Sequence, residues 1–220
     1  NTEDLYTGKE FSLGDSAVAL RIISEYASKR IAKYAFETAK QRNSMKKVTC
    51  VHKSNVMRLT DGLFAKSCTE IAKNYPDISF EQMYVDACAM NLIRQPEQFD
   101  VIVTTNLFGD ILSDLGPACT GTIGIAPSGN INPERIYPSL FEPVHGSAPD
   151  IAGQGIANPI GQIWSAAMML EHLGHPLASK AIVDAFEKIL AAGPLHAPFT
   201  PDMGGTGNTS DFGKAIAQAI

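Results

Sequence analysis

Apolar positions along this 220-residue chain alternate between short strand-like runs and longer stretches with helical spacing. Runs of aliphatic and β-branched residues, which favour strands, lie at 21–24, 47–52, 83–85 and 100–105. Apolar residues spaced three to four apart, which favour amphipathic helices, lie at 25–41, 60–74, 86–95, 109–116, 162–173 and 177–192. Strands that alternate with helices in this way predict an α/β fold.

Three of these segments carry more specific expectations. The run DVIVTT at 100–105 is strongly apolar, which predicts a strand buried on both faces. The helix that follows it is expected to stop at Gly116-Pro117. The side chains predicted to share one side of the helix at 25–41 are Tyr26, Ile31, Tyr34, Ala35 and Thr38.

The composition changes near residue 120. Residues 120–160 are rich in Gly, Pro, Ala, Asn and Ser, which is typical of loops and short strands. We therefore predict two domains, at 1–120 and 121–220, the second ending in a Gly-rich loop at 200–211 and a short helix.

Composition argues against several classes of function. Hydrophobic residues make up 45% and charged residues 19%, as in ordinary globular proteins. The net charge is −5 and basic residues are scattered, so neither a nucleic acid nor a membrane is an expected partner. Cys50, Cys68, Cys88 and Cys119 are too far apart for a zinc motif or a disulfide framework, which predicts reduced thiols.

A pair of carboxylates is the clearest candidate for chemistry. Asp110 and Asp114 lie four residues apart on a predicted helix, so both face the same way. A divalent cation with oxygen ligands would relieve their repulsion. The alternative is a solvated acidic helix start, where carboxylates favour the helix dipole. Their position after a strand favours the metal, because ligands collect at strand carboxyl ends in open α/β sheets.

Three further residues have both a chemical and a plainer interpretation. Asp86, between a strand and a helix, could bind the same cation or simply cap the helix. Lys53 follows the apolar run VTCVH and could transfer protons if burial lowered its pKa, or be an ordinary surface lysine. Tyr6 lies in the polar stretch NTEDLYTG and could equally be an exposed loop tyrosine.

The glycine- and proline-containing stretch EPVHGSAPDIAG suggests backbone that closely approaches a ligand. His145 within it could line a ligand site or be a satisfied core histidine. Asp150 could accept hydrogen bonds from the ribose of a dinucleotide, and its charge would repel a 2′-phosphate. The sequence contains neither a G-x-G-x-x-G fingerprint nor a P-loop, so no standard nucleotide motif supports this interpretation.

Several strings together resemble the isocitrate/isopropylmalate dehydrogenase family of β-decarboxylating dehydrogenases. They are NTEDLYTG, VHKSNVM, VDACAMNLI, FDVIVTTNLFGDILSD, GIAPSGNI, FEPVHGSAPDIAGQGIANP and TPDMGG. FGDILSD and HGSAPDIAG are the most specific of these. The resemblance implies an isopropylmalate dehydrogenase-like two-domain α/β fold and NAD-dependent oxidative decarboxylation of a small 2-hydroxy acid. In this fold, residues 1–120 would form the small domain for dimerisation and for metal and substrate binding, and residues 121–220 would form the C-terminal part of the large nucleotide-binding domain.

The resemblance also implies roles for individual residues. Asp110 and Asp114 would hold Mg²⁺ or Mn²⁺, with Asp86 supplied by the partner subunit of a homodimer with shared active sites. Lys53, also from the partner, would help remove the hydroxyl proton as hydride leaves for NAD, and Tyr6 would help protonate the enol. The residues implied at the adenosine end of NAD are His145, Gly146, Ser147, Ala148, Pro149, Asn158 and Asp202. The pair typical of members that use NAD rather than NADP is Asp150 and Ile151.

The resemblance leaves the substrate open. Family members carry roughly 130 further residues, about one small domain, before the segment that matches NTED, and that part of the fold is missing from this chain. Residues 116–175 resemble tartrate and D-malate dehydrogenases, including the extra residues before FEPVHG. The stretches NTEDLYTG and VHKSNVMRLTDGLF are more similar to isocitrate and homoisocitrate dehydrogenases. We expect an enzyme of the D-malate/tartrate type acting on a 2R-hydroxy acid that bears a β-carboxylate.

Two readings of another class remain, a non-catalytic regulatory subunit and an inert truncated fragment. Regulatory subunits tend to lose metal or proton-transfer residues, whereas this chain has Asp86, Asp110, Asp114, Lys53 and Tyr6. The resemblance and the cysteine usage together imply a cytoplasmic location, or the mitochondrial matrix in a eukaryote.

Overall fold

A computed structural model describes residues 3–220 of the chain. It separates into two compact units, Asn1–Leu115 and Gly116–Ile220. Both helices and strands are present, as the α/β prediction requires. The roles assigned above to a domain at 1–120 and a domain at 121–220 stay predictions.

The first unit is built around a parallel sheet. Its elements are β1 (Glu10–Leu13), β2 (Ser16–Ala19), α1 (Glu25–Arg42), β3 (Lys47–His52), α2 (Thr60–Ala72), β4 (Ser79–Tyr84), α3 (Val85–Arg94), β5 (Val101–Thr104) and the start of α4 (Asn106–Thr120). The sheet has the order β4-β3-β5, and β1 and β2 form a separate antiparallel hairpin. The hairpin is absent from the sequence-based prediction, although Gly14-Asp15 between its strands is a turn signal.

Burial within the sheet differs from the expectation for 100–105. In β3, the central strand, every residue after Lys47 is buried, whereas in β5 only Val103 is buried. The prediction of a β5 buried on both faces was therefore wrong for the described chain. The reason is position: β3 has a paired strand on each side, and β5 is paired only with β3 among the described residues.

The buried face of α1 also differs from the prediction. The residues it buries are mostly small: Ala27, Ser28, Ala32, Ala35, Phe36 and Ala39. Tyr26 is 76% exposed and Ile31 44% exposed. Small side chains let α1 lie close to α2 and the sheet, while Phe36 alone fills the space against Tyr75 and Phe80. Of the predicted face, only Ala35 is buried.

One predicted strand and two predicted boundaries were also wrong. Residues 21–24 do not form a strand: Ile22 makes one isolated bridge to Asp4, and Ser24 caps α1 through its side chain. The strand β4 begins at Ser79, four residues before the predicted start. The helix α4 continues past Gly116-Pro117 to Thr120. Proline removes one helical hydrogen bond, but its fixed φ is compatible with a helix.

The second unit packs helices around an aromatic and aliphatic core. Its elements are β6 (Pro127–Asn130), β7 (Leu140–Pro143), α5 (Ile160–His172), α6 (Pro176–Ala192) and α7 (Thr209–Ala219). β6 and β7 pair antiparallel. The core side chains are Ile160, Ala185, Phe186, Phe199, Phe212 and Ile216. These bounds agree with the predicted helices at 162–173 and 177–192 and with the final short helix.

The four cysteines are free thiols, of which Cys50, Cys68 and Cys88 are buried and Cys119 is exposed. Among residues 3–220, no helix has both the length and the apolar character needed to cross a bilayer.

Gly161 lies where α5 closely approaches the backbone at 124–126 in the second unit. A Cβ placed on Gly161 would lie 2.8 Å from the carbonyl oxygen of Gly124 and 3.1 Å from that of Ala126. Both neighbours are backbone atoms, so neither can rotate away. We expect Gly161→Ala to lower the free energy of unfolding by about 1–3 kcal/mol.

Gly213 provides the matched control, because it also lies in a helix and a Cβ there would meet no atom within 4 Å. Gly213→Ala is expected to raise the free energy of unfolding by about 0.5–1 kcal/mol. Urea denaturation of both variants measures the two effects. A neutral Gly161→Ala would contradict the close packing of α5 on the segment at 124–126.

Candidate active site

Tyr6 lies on a tight turn that a buried carboxylate holds in place. Residues Leu5–Thr7 form one turn of 3-10 helix, which Gly8 ends in the left-handed conformation with φ of 63°. The carboxylate of Asp4 accepts hydrogen bonds from the N–H groups of Leu5 (2.9 Å) and Leu107 (3.0 Å). The second contact ties the turn to the first residues of α4.

This connection brings Tyr6 to Asp110. Asp110 follows Leu107 by one helical turn, and its carboxylate accepts a hydrogen bond from the Tyr6 hydroxyl. That hydrogen bond is the main reason that the pKa of Tyr6 is raised above 10.0, since the carboxylate stabilises the protonated phenol. Partial desolvation and the negative charges of Asp110 and Asp4 act in the same direction.

Asp110 and Asp114 are both exposed on α4, four residues apart. No lysine or arginine of the described chain forms an ion pair with either carboxylate. Two like charges at this spacing destabilise a helix unless a cation lies near them. Their oxygen atoms are the ligands that Mg²⁺ and Mn²⁺ prefer, so this pair fits half of the predicted metal site.

Lys53 and Asp86 form a second pair. Lys53 directly follows β3 and Asp86 lies in the first turn of α3, directly after β4. Because β3 and β4 run parallel with His52 opposite Tyr84, the residues that follow both strands meet at one edge. The Lys53 Nζ lies 2.5 Å from Asp86 Oδ1. This hydrogen bond, together with the backbone N–H groups of Asp86 and Ala87, lowers the pKa of Asp86.

The two pairs remain separate in one chain. Residues 3–220 bring no three His, Cys, Asp or Glu side chains together as ligands for one metal ion. Asp86 is therefore not placed beside Asp110 and Asp114 within the chain. The resemblance assigned Asp86 and Lys53 to a partner subunit, so their role in a shared site stays a prediction.

In the second unit, the loop that follows β7 carries most of the residues that are predicted to contact the nucleotide. His145 Nδ1 lies 2.8 Å from the carbonyl oxygen of Gly146. Ala148 has a φ of 41°, unusual for a residue with a Cβ, and its carbonyl accepts a hydrogen bond from the Ile151 N–H. The residues from Gly146 to Asp150 are exposed. Asp150 thus presents its carboxylate to solvent from a turned loop.

Asn158 and Asp202 meet in a polar cluster with Thr122. The Asp202 Oδ2 atom accepts hydrogen bonds from Thr122 Oγ1 (2.6 Å) and from the Asn158 amide (3.0 Å). Partial burial alone would raise the pKa of Asp202, but hydrogen bonds from Thr122, Thr200 and Asn158 outweigh it and lower the pKa. Asp202 and Thr122 line an open depression of about 260 Å³.

Sequence reasoning missed Thr122, which holds Asp202 in this cluster. The available signal in the sequence was Gly121 and Gly124, which flank this segment, because glycines often mark a close approach of the backbone. A Cβ placed on Gly124 would lie 2.7 Å from the Asn158 Cβ. Sequence reasoning also missed the buried Asp4, Arg21 and Asp61, whose contacts join segments distant in sequence.

Comparison with known proteins identifies the family of this chain. A family model described as isocitrate/isopropylmalate dehydrogenase matches residues 1–216. The chain belongs to this family, as the resemblance predicted.

Three relatives illustrate the range of similarity. The 3-isopropylmalate dehydrogenase of Archaeoglobus fulgidus is 50% identical over 220 residues, which is 100% of this chain and 65% of that protein. The tartrate dehydrogenase/decarboxylase of Pseudomonas putida is 46% identical over 231 residues, covering 100% of this chain and 62% of that protein. The crystal structure of isocitrate dehydrogenase from Methylococcus capsulatus superposes with a TM-score of 0.90 at 44% identity, covering 100% of this chain and 65% of that one. The chain thus spans less than two thirds of each relative.

We expect Asp110→Asn to lower the pKa of Tyr6 toward its ordinary value, because the neutral amide no longer favours the protonated phenol by charge. Titration of tyrosinate absorbance measures the shift, with Tyr6→Phe identifying the contribution of Tyr6. Asp114→Asn, one turn further along α4, is the matched control and should leave the pKa of Tyr6 raised. Equal effects of the two substitutions would contradict the Tyr6–Asp110 hydrogen bond.

Proposed function

We propose that the complete protein oxidises a 2R-hydroxy acid with NAD and releases its β-carboxylate as carbon dioxide. Membership of the isocitrate/isopropylmalate dehydrogenase family supports this class of reaction. The observation that carries the proposal is the pairing of each candidate proton-transfer residue with a candidate metal ligand, Tyr6 with Asp110 and Lys53 with Asp86.

The side chains suit the two proton movements that the reaction needs. Oxidation removes the substrate hydroxyl proton as hydride leaves the same carbon for the nicotinamide, and Lys53 would help to remove that proton. Loss of the β-carboxylate leaves an enol, and the carbon that carried this carboxylate must then be protonated. The Tyr6 hydroxyl is the candidate proton donor for this step, and its hydrogen bond to Asp110 raises its pKa by favouring the protonated phenol.

A divalent cation would complete this arrangement. Asp110 and Asp114, with Asp86 from a second subunit, would hold Mg²⁺ or Mn²⁺. When bound, the cation supplies positive charge that draws electrons from the substrate hydroxyl and its neighbouring carboxylate. The exposure of Asp110 and Asp114, without a lysine or arginine partner in the described chain, supports this assignment.

NAD would bind to the second unit. His145, Gly146, Ser147, Ala148 and Pro149 would line the adenosine, with Asn158 and Asp202 near the adenine. The exposed carboxylate of Asp150, beside Ile151, favours NAD over NADP, because it can accept hydrogen bonds from ribose hydroxyls and would repel a 2′-phosphate.

The active site would be shared across a homodimer. The separation of the Lys53–Asp86 pair from Asp110 and Asp114 within one chain supports this arrangement. Apolar side chains on α3 and α4 remain exposed, including Met90, Ile93 and Ile111. Exposed apolar side chains on neighbouring helices are typical of a surface that another subunit covers.

We favour a D-malate or tartrate substrate, with isocitrate or homoisocitrate as the alternative. The relatives are named for different substrates although their identities to this chain differ by only a few per cent. The extra residues before β7 and the sequence at 116–175 are the features that favour D-malate or tartrate. A regulatory subunit or an inert fragment is disfavoured by the presence of all five candidate metal and proton-transfer residues.

A substrate panel tests the proposed reaction. The complete protein is assayed with Mn²⁺ on D-malate, tartrate, isocitrate, homoisocitrate and 3-isopropylmalate, following NADH or NADPH. We expect the greatest kcat/KM on D-malate or tartrate, with NAD preferred. Asp110→Asn should reduce turnover by about 10³-fold or more, since a Lewis acid contributes several kcal/mol to such a step.

Asp184→Asn is the matched control for Asp110→Asn, because Asp184 is an exposed helical aspartate paired with Lys180. It should leave turnover unchanged. Activity of the complete protein on none of the five acids would overturn the proposal, and isocitrate as the best substrate would favour the alternative.

A mixing experiment tests the shared site. Lys53→Met and Asp110→Asn should each inactivate a homodimer. When the two variants are dissociated and reassociated together, half of the mixed dimers' sites receive both wild-type halves. We expect recovery to about a quarter of wild-type activity, which follows from random association of two chains in a two-fold dimer. Without recovery, Lys53 and Asp110 would have to serve the same site from one chain.

A further inference from the structure

We propose that Arg21 is a positioning residue that fixes both the Tyr6–Asp110 pair and the Lys53 segment. The inference rests on the proposed function, in which these groups act on the substrate. Arg21 does not approach the substrate in this scheme. It acts through two buried carboxylates, each of which holds the backbone of a segment that carries a candidate catalytic residue.

The guanidinium of Arg21 lies between Asp4 and Asp61, and both aspartates are fully buried. Its Nε atom lies 2.7 Å from Asp4 Oδ1, and its Nη2 atom lies 3.2 Å from Asp61 Oδ1. Nη2 also donates a 2.6 Å hydrogen bond to Oγ1 of Thr105, the residue directly after β5. The side chain of Arg21 is only 10% exposed. It therefore contacts both carboxylates and the residue that precedes α4.

Each carboxylate uses its other oxygen to hold a site segment. Asp4 Oδ2 accepts the Leu107 N–H at 3.0 Å, and Leu107 lies three residues before Asp110. Asp61 Oδ2 accepts the Lys53 N–H at 2.6 Å. Tyr6 follows Asp4 by two residues within the same turn. Movement of either aspartate would therefore displace a candidate catalytic side chain.

The charge balance makes Arg21 necessary to this arrangement. Two buried carboxylates near one another repel, and one guanidinium provides the positive charge between them. A planar guanidinium can contact two acceptors in fixed directions, which the single nitrogen of a lysine cannot reproduce. The ring of Phe108, whose centroid lies 4.8 Å from the Arg21 Cζ, and the Met57 sulfur further fix its position.

Within a dimer that shares its sites, one Arg21 would act on both of them. Tyr6 and Asp110 of a chain would serve one site, and Lys53 of the same chain would serve the other. A single buried residue would thus set the geometry of two active sites, although it lies in neither.

The test compares Arg21→Met and Arg21→Lys in the complete protein, with Arg42→Met as the matched control. Arg42 also pairs with a buried aspartate, Asp100, but is itself exposed. We expect Arg21→Met to lower kcat by about 10²-fold, the effect of a misplacement of roughly 1 Å. The KM for NAD should change by less than about two-fold, because Arg21 contacts none of the residues predicted to bind NAD. Arg21→Lys should recover kcat to within about ten-fold of wild type, and Arg42→Met should retain it.

Hydrogen exchange of backbone amides provides a readout that needs no turnover. In Arg21→Met, the amides of Lys53 and Leu107 should exchange faster, while those in the centre of β3 stay protected. Arg21→Lys, which keeps the positive charge but not the contact with two acceptors, should give exchange rates between those of Arg21→Met and wild type. If Arg21→Met does not fold, Asp61→Asn takes its place, and it should loosen the Lys53 amide while leaving that of Leu107 protected.

The outcomes separate the two proposals. An inactive wild-type protein would overturn the proposed function, and amide exchange would still decide whether Arg21 holds these segments. Unchanged kcat in a folded Arg21→Met variant would overturn the positioning role. Unchanged exchange at both amides, or an equal loss of kcat in Arg42→Met, would overturn it as well.

Discussion

Parallel pairing of β3 with β4 and β5 is the constraint on which the first unit depends. Parallel strands place their carboxyl ends at the same edge of a sheet, and here Lys53, Asp86 and the start of α4 follow the three strands in turn. Lys53 and Asp86 are far apart in sequence and become neighbours through this edge. The central strand β3 is buried and paired on both sides.

The ion cluster at Arg21 places charged side chains in the interior of the first unit, where they fix the positions of several segments. Removing charges from water is unfavourable, and replacing such clusters with apolar residues often stabilises a protein. Asp4, Arg21 and Asp61 are therefore better explained by the geometry they impose than by the stability they add. They join the turn at Tyr6, the loop at Lys53 and the start of α4, which no single strand or helix contains.

Local patterns in the sequence predicted most helices and the central strand, since periodic apolar residues are a strong signal. They failed where packing against distant segments decides the outcome. On α1, alanines rather than Tyr26 and Ile31 face the core, because close approach to the sheet favours small side chains. At 21–24, strand-like residues form no strand because Arg21 makes ionic contacts and Ser24 caps α1.

The candidate site residues were found through whole strings such as FGDILSD and HGSAPDIAG, since each residue alone also suited a plainer role. The Tyr6–Asp110 and Lys53–Asp86 contacts depend on tertiary structure, which spacing in the sequence does not encode.

The distribution of thiols has a practical consequence. Burial raises the pKa of Cys88 to about 11, and the contact with Cys68, together with burial, raises that of Cys50 well above its usual range. Thiols in such surroundings react slowly with electrophiles. Cys119 alone is exposed, in the last turn of α4 beyond Pro117. A maleimide fluorophore would therefore mark one defined position among the described residues, at the end of the helix that carries both candidate metal ligands.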